Sequence, residues 1–265
     1  MPTIDVVPSG LLHAFLFIGG LTLLRYTVFV ALWTAAVAWL GNHRRWRPRL
    51  QAPALPGAQW RRELLLSACT ITIAAAIAPA ILQLGAGHHM AFYRDVATHG
   101  GWAYFAFSIL LMLGVRDTLF YWSHRAMHDR RAFRFTHRSH HLSTNPNPLT
   151  SYAVSPVESL FDTVLPFVLI LFLVPKHPVA YALFLWIDAG VAVYGHMGIE
   201  IFPRGTSRHW LGRWINTPTA HNWHHATARH NYGFHFLVWD RLMGTVDPGY
   251  DARFDAATTP VPKGT

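Results

Sequence analysis

Apolar residues along this chain neither alternate nor recur at a helical period over most of its length; they run on. Long, predominantly apolar stretches occupy 11–40, 64–84, 102–122, 159–175 and 178–198. A helix needs ~20 apolar residues to cross the hydrocarbon of a bilayer, and the stretch 64–84 meets that need most cleanly. The first stretch is longer than one crossing requires and carries Arg25 near its middle, which a tilted helix or one with a polar interior face tolerates. The third passes into charged and histidine residues without a break. The last two are separated only by Lys176 and His177. They predict a helical hairpin, fully spanning or partly re-entrant.

Composition supports a membrane setting. Of 265 residues, 52% are hydrophobic and 13% charged, the latter about half the ~25% usual in a soluble domain. The single cysteine, Cys69, lies in the apolar run "LLLSACTITIAAAIA", where it reads as a small hydrophobe. The net charge of +9 is concentrated in "HRRWRPR" (43–49), "WRR" (60–62) and "HDRRAFRFTHR" (128–138). Basic clusters flanking apolar runs mark cytoplasmic loops, so no nucleic-acid partner is expected. Placing the loop 41–63 inside puts 85–100 outside, 123–157 inside, the turn 175–178 outside and everything after about 199 inside. The expected location is therefore an integral protein of the bacterial inner membrane, with the C-terminus cytoplasmic. "MPTIDVVPSG" has neither a positive n-region nor a small-residue cleavage site, so no removable signal peptide is expected. The proline-rich stretches at 48–56 and 145–156 read as loops of one domain, 1–265, whose residues 1–100 supply N-terminal membrane helices.

Three histidine clusters stand out. "HRAMH" holds His124 and His128, "HRSHH" holds His137, His140 and His141, and "HNWHH" holds His221, His224 and His225. At i, i+4 and i, i+3, i+4 spacing each set shares one helical face, with neighbours ~5–6 Å apart, close enough to share a metal ion. The topology puts all eight on one side of the membrane. So many imidazoles gain nothing by packing, and together protonated they would repel; metal binding removes the conflict. Eight exceed what one tetrahedral zinc uses, and "HRAMH" lacks the Glu of HExxH hydrolases. The count points to two ions, while imidazole suits Zn, Cu, Fe and Ni alike.

The order HxxxH, HxxHH, apolar hairpin, HxxHH and then "NYGFHFLVWDRLMGT" resembles the fatty acid hydroxylase and sterol desaturase superfamily of membrane di-iron oxygenases, over about 114–245. The resemblance implies an all-α membrane bundle of four to six helices with a cytosolic histidine-rich cap, the histidine boxes lying within 101–250. It implies two non-haem Fe ions, O2 as co-substrate, and hydroxylation or desaturation of a lipid. It also implies a further ligand near the end of the hairpin, where "VYGHMGIE" supplies His196. Zinc is an expected substitute in purified protein.

Asp117, two helical turns before His124, is a candidate to accept an N–H from a ligand imidazole. Asp188, in an apolar helix eight residues before His196, is a functional candidate by its setting; the alternative for both is a pairing with Arg25 or Arg116. Asp240 and Arg241 read as cap-stabilising residues, and His209, His230 and His235 as possible extra ligands. With no dinucleotide fingerprint in the sequence, electrons are expected from a separate ferredoxin- or cytochrome-type donor with its reductase, docking on the basic surface near 128–138. The rival readings are a membrane haem electron-transfer protein and a metal transporter.

Overall fold

A computed structural model describes residues 10–42, 50, 57–85 and 90–259. The basic run 43–49, most of the loop 41–63, and His43, His88 and His89 lie outside the described residues. The long helices are α1 (Leu11–Asn42), α2 (Gly57–Gly85), α3 (Gly101–Met127) and α7 (Pro178–Gly195). Between α3 and α7 come the short α4 (Arg138–His141) and α5 (Pro156–Glu158), then a π-helical turn Ser159–Val164 that runs into α6 (Leu165–Leu173). The cap follows, with α8 (Pro218–Thr227), α9 (Val238–Leu242) and α10 (Tyr250–Thr258). Among the described residues no strand forms, and five segments are long and apolar enough to span a membrane: Leu11–Leu40, Gly57–Leu82, Gly101–Met127, Pro156–Leu173 and Pro178–Gly195. Their outer faces show leucines such as Leu12, Leu65 and Leu110, surface that only lipid leaves unpenalised.

Two helices differ from the sequence expectation for a physical reason. The second begins seven residues earlier, at Gly57, because its polar first turns find partners: Gln59 Nε2 donates to Asn145 O at 2.9 Å, and buried Glu63 accepts from Asn147 Nδ2 and Thr150 Oγ1 at 2.7 and 2.9 Å. The third continues five residues past 122 to Met127, so its last turn carries "HRAMH".

Packing ties the spans together. Met112 and Leu113 of α3 meet Ile170 of α6 and Phe184 of α7 in one buried cluster. Phe29 of α1 approaches Gly190 of α7 so closely that a Cβ there would lie 3.0 Å from its ring. Trp33 Nε1 donates to the Gly190 carbonyl at 3.2 Å in the same contact. At one end of the bundle, residues 90–93 strap the hairpin turn: Lys176 N donates to Ala91 O and Tyr93 N to Lys176 O. Lys176 itself is fully buried, donates from Nζ to the carbonyls of Leu171 and Val174 at the end of α6 at 2.8 and 2.9 Å, and sits over the Phe92 ring. Burial pushes its ammonium down to about 7. At the other end, Leu50 N donates to Gly198 O, and the start of α2 is joined to the 143–155 loop through Gln59 and Glu63.

That two-ended arrangement is testable. With Cys69 replaced, cysteines introduced at Ala58 and Arg130 should be labelled by a membrane-impermeant maleimide from one side, and a cysteine at Thr98 from the other. Labelling of all three from the same side would break the five-span reading.

Candidate metal centre

All nine histidines of the expected set converge where α3, α4, α7 and α8 end or begin. Their ligand atoms form two groups, His124, His128, His137, His141 and His224 in one and His140, His196, His221 and His225 in the other; within a group they all lie within 4.8 Å of one another. The boxes do not map one to a group. In "HRSHH" and "HNWHH" the i and i+4 residues stay together, while His140 and His224 at i+3 cross to the opposite group. A helix advances 100° per residue, so i+3 and i+4 diverge enough to face different centres.

The donor chemistry of five of the rings is fixed from behind. His124 Nδ1 donates to Tyr232 O at 2.8 Å, His224 Nδ1 to His230 O at 2.7 Å and His196 Nδ1 to Ala192 O at 2.7 Å. His140 Nδ1 lies 3.3 Å from Ala153 O, and His137 Nδ1 donates to the Glu158 carboxylate at 2.6 Å. A carbonyl or carboxylate only accepts, so each of these neutral rings keeps its proton on Nδ1 and turns a bare Nε2 lone pair inward. There the Nε2 atoms meet: His124 and His137 at 2.8 Å, His141 and His224 at 3.1 Å, His196 and His221 at 2.9 Å. Lone pairs facing one another at such distances repel unless a cation lies among them. The donor set therefore fits metal ions in both groups.

Burial forbids the other remedy, protonation. It is the main cause that pushes the imidazole of His128 down to about 3 and those of His141 and His196 to about 4. His137, His140, His221, His224 and His225 move the same way, by burial first and repulsion from neighbouring imidazoles second. Folded values below the ordinary 6.5 mean that the folded chain binds fewer protons than the unfolded one between about 4 and 6.5. Stability from these groups is then complete above that window and lost as the pH falls through it. Metal-free protein should show a thermal midpoint that drops steeply across this interval. A midpoint that holds or rises on acidification would show that the rings are not buried as neutral bases.

The tail "NYG…WDRLMGT" is the brace behind the site. Asp240 accepts from Tyr232 N and Gly233 N at 2.8 and 2.7 Å and from Thr245 Oγ1 at 2.7 Å, and it is Tyr232 whose carbonyl orients His124. Asn231 bridges Ala220 O and Asp247 N. Arg241 Nε donates to Arg213 O. Glu200, not singled out by sequence, accepts from Thr219 N and Oγ1 and so anchors the start of α8.

Other candidates take different places. Asp117 touches none of the nine imidazoles; its Oδ1 instead collects the backbone N–H groups of Phe234, His235 and Phe236 at 3.3, 2.7 and 3.1 Å. Asp188 pairs with Arg116 Nε at 3.2 Å and faces His235 Nε2 at 3.3 Å. His209 is exposed, and the rings of His230 and His235 belong to neither group. The carboxylate that does orient a ring of the centre, Glu158, was missed, together with Asp162 one turn on. Both are ionisable residues in an apolar segment, and the rule that singled out Asp188 would have found them. Below the histidines a cavity of about 70 Å³ touches rings of both groups, along with Arg116, Tyr152 and Asp162.

Comparison with known proteins agrees with this geometry. The chain is 32% identical over 155 residues to lathosterol oxidase of Mus musculus, a match covering 58% of this chain and 50% of that one. It is 32% identical over 139 residues to the Homo sapiens lathosterol oxidase (52% and 44%) and 30% identical over 158 residues to a Delta(7)-sterol 5(6)-desaturase of Gibberella zeae (59% and 46%). The chain thus spans about half the length of the curated relatives it matches. No solved structure matches it significantly. The fatty acid hydroxylase profile aligns with residues 109–245, more than half of the chain and every one of the nine clustered histidines, and the chain belongs to the fatty acid hydroxylase family.

Proposed function

We propose that this protein is a membrane oxidoreductase that uses two non-haem iron ions and O2 to hydroxylate or desaturate a C–H bond of a lipid. The observation that carries the reading is the double set of inward Nε2 lone pairs. His124, His128, His137, His141 and His224 would hold one iron, and His140, His196, His221 and His225 the other; the same donors accept zinc. Bound iron supplies O2 activation and oxidation of an unreactive C–H bond. The chain's own residues keep the rings of His124, His137, His140, His196 and His224 in their ligating tautomer, shield the centre from water, and present the lipid from the membrane side. The printed names of the relatives make sterols the first lipids to test.

Electrons come from a separate ferredoxin- or cytochrome-type donor. Arg130, Arg131 and Arg134 in the turn between His128 and α4, and Arg138 at the start of α4, are exposed, a basic face beside the centre suited to an acidic partner. The orientation follows from basic loops: the histidine end faces the cytoplasm, in a bacterial inner membrane. A haem protein would pair one histidine from each of two helices within the bilayer, and a transporter would line a path with polar groups; nine imidazoles gathered at helix ends suit neither.

The test combines metal analysis with lipid mass spectrometry. Protein purified in mild detergent should carry about two metal ions per chain. Cells expressing it with a reductase system should contain a lipid that has gained one oxygen or lost two hydrogens relative to cells without it. Well-folded protein that binds at most one metal after iron reconstitution, or an unchanged lipid profile, overturns the reading.

A further inference from the structure

The cavity beneath the histidines is lined by more than imidazole. Rings of both groups border it, and so do Arg116, Asp162, Asp188 and Tyr152. Its volume is about 70 Å³, room for water or a small polar group. Such polarity is costly at this depth, since Arg116 lies in the span Gly101–Met127 and is 4% exposed.

Arg116 is held firmly but left unsatisfied. Its Nε faces Asp188 at 3.2 Å, and its guanidinium carbon lies 4.6, 5.1 and 5.4 Å from the ring centres of Phe234, Phe120 and Phe167. The rings fix its plane and offer no acceptor, and Nη1 is buried without a hydrogen-bond partner. Asp162, 4% exposed, gives Oδ1 to Ser123 Oγ, while its Oδ2 is likewise buried and unpartnered. Both residues line the same cavity. Arg116 Nη1 and Asp162 Oδ2, with Glu158 Oε2 as a second unpartnered acceptor, thus belong to residues that line a cavity touching both histidine groups.

The chemistry of the missing occupant follows. A methylene satisfies neither group, and a carbonyl satisfies only the donor. A hydroxyl satisfies both, accepting from Arg116 Nη1 and donating to Asp162 Oδ2. We propose that Arg116 and Asp162 form a subsite for the hydroxyl of a ring lipid, placing that oxygen within a few carbons of the carbon presented to the metal centre. The inference rests on the oxygenase reading for the presence of lipid here, but its test does not depend on turnover.

Zinc-loaded protein, which is redox-silent, is incubated in mild detergent with lathosterol or its 3-deoxy counterpart, and the lipid retained after gel filtration is quantified. The hydroxyl-bearing lipid should bind at least about tenfold more tightly, since a site built to hydrogen-bond a hydroxyl rejects the analogue lacking it. In Arg116→Gln, with zinc content preserved, the ratio should collapse to about one, and Asp162→Asn should lower it. Equal retention of the two lipids by the wild type, as expected if water alone fills the cavity, overturns the subsite, and so does retention of neither. Should either variant lose its zinc and fold, the wild-type ratio decides alone. Iron-loaded protein that retains lathosterol but converts it to no product, with donor present, overturns the oxygenase reading and leaves the subsite standing.

Discussion

His140→Ala and His224→Ala should each abolish turnover, and each should empty a different metal position. His140 stands beside His141, and His224 beside His225, yet each belongs to the group that its neighbour does not. Alanine at His224 removes a ring whose Nδ1 is tied to His230 O and whose Nε2 lies 3.1 Å from that of His141; no other side chain in the site can take its place. A metal contributes several kcal/mol to the transition state, so its loss is worth on the order of a thousandfold in rate. Metal content should fall from about two to about one per chain in both variants. The converse residues, His141→Ala and His225→Ala, should exchange the patterns. The spans are packed elsewhere, through the cluster of Met112, Ile170 and Phe184, so the variants should still insert and fold. His177→Ala, at the opposite end, loses the cap it offers to Val179 N, about 1 kcal/mol of stability, and its ring contacts with Tyr93 and Phe105, and should keep most activity. Near-normal turnover with intact metal in His140→Ala and His224→Ala would remove the histidine boxes from the chemistry.

Glu158→Ala should lower activity and metal affinity by about 10–100-fold, the usual effect of removing the group that orients a ligand imidazole. Glu158 Oε1 receives the Nδ1 proton of His137 at 2.6 Å. Without that acceptor His137 is free to move its proton to Nε2, where it would block the metal. The loss should fall on the five-histidine group and spare the four-histidine group, and Glu158→Gln, whose amide oxygen still accepts, should restore part of it. A loss shared equally by both metals, or no recovery in the glutamine variant, would mean that Glu158 matters for folding and not for the ring.

The five spans were legible in the sequence because the bilayer demands length and apolarity from each segment separately. The early start of α2 was not, since Gln59 and Glu63 are helical on account of residues more than eighty positions away. The histidine spacing predicted a shared site but not the exchange of His140 and His224, because spacing fixes a helix face and says nothing about which centre lies opposite it. Asp117 illustrates the same limit. Its position two turns from His124 suggested an imidazole partner, whereas the backbone of 234–236, folded in from the cap, reached it first. His196 needs the family resemblance, and Glu158 stands at the polar edge of its apolar run, where an ionisable residue carries no sign of the ring it will face.

The interleaving of the boxes also fixes an order of assembly. As the chain is synthesised, residues up to about 200 already contain four of the five imidazoles of the first group, His124, His128, His137 and His141, but only His140 and His196 of the second. The second group is completed by His221 and His225 together, and the same helix, α8, brings His224 to the first. Docking of this one ten-residue helix, anchored by Thr217 and Glu200, therefore closes both positions in a single event. A chain interrupted before α8 holds four imidazoles of the first group and two of the second, and lacks the Tyr232 carbonyl that orients His124, so neither position is complete until the cap has docked.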